Sequence, residues 1–467
     1  VPKPLEAIAA AVYMEKPTLP ESTATLAEWL NRCTVDTQVT REAILRVIRY
    51  IKQNNLGDFR LTGSAQCTAA FRHRFLPAKT LLVHDNEEAL EKERKAAWTG
   101  RAEVWTHGEV SKPVYELDYE YAYARLAYDL SVPVKLLTEH SGIPWQRLEA
   151  VMDHYGVLAD VKITTDVPCV PAEKDGGIIW PTGEFQTTLW DSELRLAKRE
   201  GALIEVERYW FYKKQPILRD WAKWILDILS GDTNKLDPVI RIMLKDWSRA
   251  LIGRFGLRYS ILDEIGTLPN NDLRLFGVAD IDEDKELEYL QLGKQLFERM
   301  AREESPSSTP MVMSYIMSAA RVKLWEAMKV AGANNLCYVD TDGFIATRGG
   351  KDRIAKAVAL GHLPGMRLKG KYNGGNFRAP RNIDLGEIRR VSGAPRKAER
   401  LSPSVYRGEV WESLPTALRR GHIGNVFVHE RTFTISDNDK RRVHLAEGKT
   451  EAHRMTYDQH GNIAWSA

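Results

Sequence analysis

Apolar positions recur at helical spacing over residues 38–55 (TQVTREAILRVIRYIKQN), where Ile44, Val47 and Ile51 share a face. A second, highly charged helix is predicted over about 86–98 (NEEALEKERKAAW). A short apolar strand then runs from Val114 to Leu117 and ends on Asp118. From about 136 to 205, short strands (YGVLADVKI, GGIIW), a Pro/Gly turn (PTGEF) and a helix (SELRLAKREG) alternate, the pattern of an inserted subdomain. Two helices follow, at about 215–230 and 238–255. Asp237-Pro238 supplies an N-cap and a first-turn proline for the second, and Gly256 a stop. Residues 259–308 are polar, acidic in the middle (DIDEDKELEY), and end in the loop EESPSSTP. A strong helix is expected from Pro310 to Val330, closed by Gly332, and then a hairpin, NNLCYVDTDGFIATRGG. Beyond about 396, short helices and strands mix.

A chain of 467 residues has room for two to four structural units. Its net charge of +3 announces no nucleic-acid partner, but arginines crowd residues 386–421 and 439–442. Such local patches can track a phosphate backbone, and a solvated charged face has the same composition. The four cysteines, Cys33, Cys67, Cys169 and Cys337, lie too far apart for a short-spaced zinc site or a disulfide scaffold, which fits a reducing cytoplasm. With no membrane-length apolar run and no signal-peptide pattern, no membrane partner is expected. The opening Val-Pro-Lys reads as a fragment, a processed product or a trimmed start.

The sharpest chemical signal is Cys337 to Ile345 (CYVDTDGFI), an apolar strand into Asp-Thr-Asp-Gly and a second strand out. Asp342-Gly343 suits a tight turn with positive φ, which would carry the carboxylates to the tip of a hairpin. Asp-x-Asp also occurs at 280/282 and 437/439, so this motif alone equally describes a surface hairpin. Its company changes that. In YELDYEYAY (115–123) a strand ends on Asp118, and Tyr123 stands five positions later at a helix start. Phosphoryl transfer to a hydroxyl uses two divalent ions about 4 Å apart, and hard ions take carboxylate oxygens. Asp118 and Asp342 are suited to provide that pair. On a helical wheel, Arg241, Lys245, Ser248, Ile252 and Phe255 form one stripe, presenting two cations and then an aromatic ring. An amphipathic surface helix with scattered cations has the same pattern.

The order strand-Asp-x4-Tyr, basic helix ending in aromatic-Gly, then Tyr-x-Asp-Thr-Asp resembles motifs A, B and C of family B DNA polymerases, over about residues 30–450. The combination is specific where each motif alone is not. The resemblance implies that Asp118 and Asp342 ligate two Mg²⁺ or Mn²⁺ ions, with the backbone carbonyl of Tyr119 completing one shell. Asp340 would be the companion acid beside the primer end. It puts Tyr123 at the steric gate that excludes a 2′-hydroxyl, though ordinary packing also explains a tyrosine there. For dNTP binding it points to Arg241, Lys245, Arg249, Phe255 and Gly256. The chain departs from the family's Lys-x-x-x-Asn-Ser-x-Tyr-Gly, placing Ser248 and Ile252 at the Lys and Asn positions.

Three matches resemble the protein-primed branch. Trp98 to Glu103 (WTGRAE) is similar to the template-contacting Tyr-x-Gly-Gly-Arg segment, through Gly100 and Arg101. The long gaps from Asp118 to Ser248 and from Phe255 to Asp342 look like the two insertions of that branch, and IIWPTGEFQTTLWDSELRLAKREG looks like the first of them. Arg381-Asn382-Ile383 stands where the family has Lys-x-Tyr, followed by basic residues including Arg390 and Arg396, all implied DNA contacts. Asp36, with Arg60 to Ser64, resembles a third exonuclease motif. However, Arg32 replaces the usual Tyr and no Asp-x-Glu precedes it, so no proofreading is expected and Asp36 reads as a helix N-cap or a leftover.

The reading is an α+β right-hand polymerase with a truncated exonuclease region. Its expected parts are an exonuclease-like remnant (1–95), palm (96–135 and 306–395), an insertion resembling the terminal-protein-contacting subdomain (136–209), fingers (210–258), a second insertion for processivity and strand displacement (259–305) and thumb (396–467). The expected activity is template-directed synthesis from dNTPs on primer-template DNA, primed by a terminal protein, in the cytoplasm of a host. A degenerate non-catalytic DNA-binding homologue and a metal-dependent nuclease are the competing readings.

Overall fold

The computed structural model describes residues 5–18, 24–78, 80–231, 235–280, 285–305, 308–386, 388–395, 397–422, 428–457 and 463–466. At its centre lies a five-stranded antiparallel sheet built from β1 (Ala102–Val104), β2 (Val114–Tyr119), β3 (Leu336–Asp340), β4 (Gly343–Thr347) and β5 (Met366–Tyr372). The order is β1-β3-β4-β2-β5, so the strand that ends on Asp118 lies beside the β3–β4 hairpin, whose turn carries Asp342, although more than two hundred residues separate them in sequence. Leu117, Val339 and Phe344 sit in one buried cluster beneath the sheet, and Val114, Tyr338 and Ile345 in another on its opposite face. Alternate residues of one strand feeding two cores is what a period of two dictates.

Three helices set the surroundings: α1 (Ala122–Asp129), α2 (Pro238–Phe255) and α3 (Pro310–Ala331). The punctuation of α2 is as expected, with Asp237 accepting from the amides of Val239 and Ile240, Pro238 in the first turn and Gly256 at the C-cap. α3 is the most enclosed helix. Its Arg321 is buried and bonds both oxygens of buried Glu193 at 2.7 and 3.0 Å, and the carbonyls of Trp98 and Ala96.

Residues 132–215 form four strands of a six-stranded sheet, in the order Val132–Ser141, Leu203–Gln215, Tyr155–Thr165, Thr182–Trp190. The remaining two strands, Arg454–Tyr457 and Ile463–Ser466, come from the far end of the chain, Arg454–Tyr457 pairing parallel with Thr182–Trp190. The stretch from 396 on, expected as a single unit, is therefore found in two places. Strands Glu399–Arg400, Val405–Trp411 and Val428–Thr434 form one sheet. From Asp439 the chain turns back and caps the open edge of β1: Asp439 accepts from the Val104 amide at 2.8 Å, and Arg441 donates to the Ala102 carbonyl at 2.7 Å. Covering that edge removes a row of unpaired backbone groups.

The polar stretch 259–308 is a long two-stranded hairpin, Arg258–Asp280 with Lys285–Glu304. At its base Glu304 pairs with Arg94 and Arg258. Further out, Glu288 pairs with Arg299 and with Arg419 of the helix Leu414–Arg420, tying the hairpin to the sheet of residues 399–434. Among the described residues no helix is long and apolar enough to cross a membrane.

Candidate active site

β2 places Glu116 and Asp118 on one face, flanked by β4 on one side (Gly343 opposite Asp118) and β5 on the other (Arg367 opposite Asp118). The turn joining β3 to β4 brings in Asp340 and Asp342. The amide of Tyr119 donates to the Asp342 carbonyl at 3.0 Å, which locks the end of β2 to this turn. Asp118 and Asp342 thus sit side by side, as expected. The turn chemistry differs from expectation, because the positive φ, 63°, falls on Thr341 rather than on Gly343. A β-branched residue there is strained. It is held by its amide bond to the Arg101 carbonyl (2.7 Å), its hydroxyl bond to Asp340 (2.9 Å) and close packing against Gly100.

Gly343 is required for a different reason. A Cβ at that position would lie 2.3 Å from the Leu117 carbonyl oxygen and 2.9 Å from the Asp118 Cβ. We expect Gly343→Val to prise β4 from β2, costing about 1–3 kcal/mol of stability. In the fraction that stays folded, divalent-cation binding should fall more than helix content does. Circular dichroism alongside Mn²⁺ titration checks this.

Electrostatics follow from the crowding of acids. Burial, and then the neighbouring charge of Asp118, holds the Asp342 carboxyl above the usual range. Burial would also raise Glu116, but Arg390 (2.7 Å), Lys369 (2.9 Å) and the Tyr372 hydroxyl (2.8 Å) overcome it and hold that carboxyl at about 2. Burial, with the charge of Asp342, pushes the Tyr123 hydroxyl up to about 12, so the ring stays neutral beside the acids. Asp118, Asp340, Asp342, Glu116, Lys369 and Arg390 line a cavity of about 240 Å³. Asp340 and Arg390 also line an adjoining basic cavity of about 790 Å³ with Arg381, Arg389 and Tyr406.

Two adjacent carboxylates, Asp118 on β2 and Asp342 on the β3–β4 turn, the latter made costly to ionise by burial and by its neighbour's charge, are a donor set that a hard divalent cation satisfies. Among the described residues no cluster of three or more His, Cys, Asp or Glu converges as a cation cage, so the protein offers carboxylates for part of a shell.

Other expected site residues fall elsewhere. Arg101 does not face open solvent. It is buried, pairs with buried Glu103 at 2.7 Å and lies over the rings of Trp105, Trp180 and Trp325. Its place as a DNA contact is overturned by that enclosure, and Gly100 serves the Thr341 turn. The stripe on α2 is split. Arg241 and Lys245 are exposed at its start, while Ser248, Ile252 and Phe255 are buried. Phe255 packs edge-on against Phe71 at 5.9 Å, and the Gly256 carbonyl accepts from Arg94, so neither is presented to a ligand. Arg249 is exposed and pairs with Asp246. Arg381 is exposed at the basic cavity, its amide donating to the Tyr338 hydroxyl at 3.0 Å. Arg396 lies outside the described residues. Asp36 is no N-cap: it sits inside the helix Leu26–Gln53, paired with Arg32 and Lys16.

Sequence reasoning missed Glu116, Arg367, Lys369 and Arg389. A faint signal existed, since the charges of Glu116-Leu117-Asp118 complement those of Arg367-Leu368-Lys369.

Comparison with known proteins agrees with this geometry. A family model described as DNA polymerase type B, organellar and viral, matches residues 8–323. No curated protein sequence matches the chain. Among solved structures, phi29 DNA polymerase with primer-template DNA and incoming nucleotide superimposes with a TM-score of 0.64 at 14% identity, covering 93% of this chain and 79% of that one. Phi29 DNA polymerase with single-stranded DNA gives 0.65 at 14%, covering 93% and 78%. An orthorhombic crystal form of phi29 DNA polymerase gives 0.57 at 13%, covering 96% and 77%. At such identities the likeness establishes a shared fold. The family match across most of its length shows that the chain belongs to the type B DNA polymerases, organellar and viral.

Proposed function

We propose that this chain is an active DNA-directed DNA polymerase that extends a primer from dNTPs. The observation that carries the reading is the pairing of β2 with β4, which sets Asp118 against Gly343 and locks Asp342 to the end of β2. Asp118 and Asp342, with the Tyr119 carbonyl, would hold two Mg²⁺ or Mn²⁺ ions. Such ions lower the pKa of the attacking hydroxyl and offset charge on the phosphates. Asp340 stands between the two cavities, next to the place for a primer terminus, where Arg381, Arg389 and Arg390 supply positive charge to its phosphates. Arg241 and Lys245, exposed on α2, are the cations of that helix available to a triphosphate, with Arg249 one turn on. The Tyr123 ring, beside the acids, would close the space below the sugar.

In this reading the central sheet is a palm, the helices Arg219–Ser230 and α2 are fingers, and the sheet of residues 399–434 is a thumb. The long hairpin, tied to that thumb through Glu288 and Arg419, would close around DNA. The sheet of residues 132–215 is the candidate surface for a priming terminal protein, at work in a host cytoplasm.

Primer extension on a defined template with Mg²⁺ tests the reading. Wild type should add template-matched deoxynucleotides, and failure to do so under any Mg²⁺ or Mn²⁺ concentration would reject it. Burial of Ile252 and Phe255 is what favours the second reading, a non-catalytic DNA-binding homologue, and the same assay together with a DNA-binding measurement separates the two. Tyr123→Ala should raise ribonucleotide incorporation relative to deoxynucleotide by about tenfold or more in the folded protein. Single-nucleotide kinetics with rNTP and dNTP measure that ratio.

A further inference from the structure

β5 runs directly beside β2, with Arg367 opposite Asp118, Leu368 opposite Leu117, and then Gly370 opposite Glu116. Lys369 is the extra residue of a β-bulge, a device that re-aims a side chain. Its Nζ stands 2.9 Å from Glu116 Oε1 and 3.2 Å from Asp118 Oδ2, while Arg367 Nε stands 3.2 Å from Asp118 Oδ1. Both oxygens of Asp118 therefore face a cation that the protein itself supplies. Glu116 is anchored by Arg390 and the Tyr372 hydroxyl on its other oxygen, which leaves Oε1 to Lys369. Gly370 makes room for that hydroxyl, since a Cβ there would lie 2.7 Å from it. The Lys369 side chain is 47% exposed and so has space to swing, whereas Glu116 is fixed.

We propose that Lys369 is a positioning residue that governs entry of divalent cations: its ammonium occupies Asp118 Oδ2 in the empty site and withdraws onto Glu116 when an ion binds. The inference rests on the metal-site reading of Asp118 and Asp342. An ammonium on the same oxygen competes with the incoming cation and repels it, so the empty site takes divalent ions reluctantly.

The test is a Mn²⁺ titration of the purified chain, without DNA or nucleotide, following free Mn²⁺ by electron paramagnetic resonance. Lys369→Met should bind Mn²⁺ about tenfold more tightly than wild type, and Lys369→Arg, which keeps the charge, should stay near wild type. Lys369→Gln serves as a second neutral variant, and thermal unfolding identifies any variant that is not folded. Equal affinity in wild type and the folded neutral variants would overturn the inference. The metal-site reading would survive that result if Asp342→Asn weakens Mn²⁺ binding. If Asp342→Asn leaves binding unchanged, the metal-site reading falls and this inference with it.

Discussion

Asp342→Asn is expected to cut templated nucleotide incorporation by about a thousandfold or more, since a bound divalent ion contributes several kcal/mol to a phosphoryl-transfer barrier. Asparagine keeps the shape of the side chain and removes its charge, so the loss should appear in the chemistry and in metal affinity. Stability should move the other way. Burial and Asp118 raise the Asp342 carboxyl in the folded chain, so its favourable contribution is present at low pH and is lost as pH rises through its folded value. At neutral pH the charged carboxylate is therefore a burden, and the Asn variant should unfold at the same or a higher denaturant midpoint. An inactive enzyme that is no less stable is the combined signature, read by single-turnover kinetics and urea unfolding. The same elevation means that metal-dependent activity should begin to fall on acidification at a higher pH than an ordinary aspartate would cause.

Arg321→Ala should be the most destabilising single change, costing about 3–5 kcal/mol, because it strands a buried carboxylate. Glu193 is 1% exposed and would lose both of its arginine bonds, while the Trp98 and Ala96 carbonyls lose theirs. Those partners belong to two separate stretches of chain converging on α3, so the damage should spread across the core. The double variant Arg321→Met with Glu193→Leu removes both charges and keeps most of the volume, and should recover most of the loss. Urea unfolding of the two single variants and the pair measures the coupling.

What could be read from sequence was local. Asp237-Pro238 and Gly256 bounded α2 correctly, and the apolar run into Asp-Thr-Asp-Gly gave the β3–β4 hairpin. What could not be read depends on partners far along the chain. Arg101 was expected at template DNA because nothing near it in sequence shows that Trp180 and Trp325 enclose it. Phe255 sat on the expected stripe, yet Phe71 comes across from another helix and buries it. Lys369 acquires meaning only through a bulge that sets it between two acids more than two hundred residues upstream. Residues 259–308 hid a strand pair because their apolar residues keep no clean alternation and several, such as Leu273, Val278 and Leu292, are exposed on a hairpin largely surrounded by water.

The strands at 454–466 complete a sheet whose other members are all made by residue 215. While the ribosome works through the intervening chain, roughly tens of seconds at ordinary elongation rates, Thr182–Trp190 waits with a bare hydrogen-bonding edge. Nascent chains on one messenger carry that same edge at close quarters, an invitation to join wrongly. Yield of soluble protein should therefore depend on translation speed and on chaperones that shield that strand, more than the stability of the finished molecule would suggest.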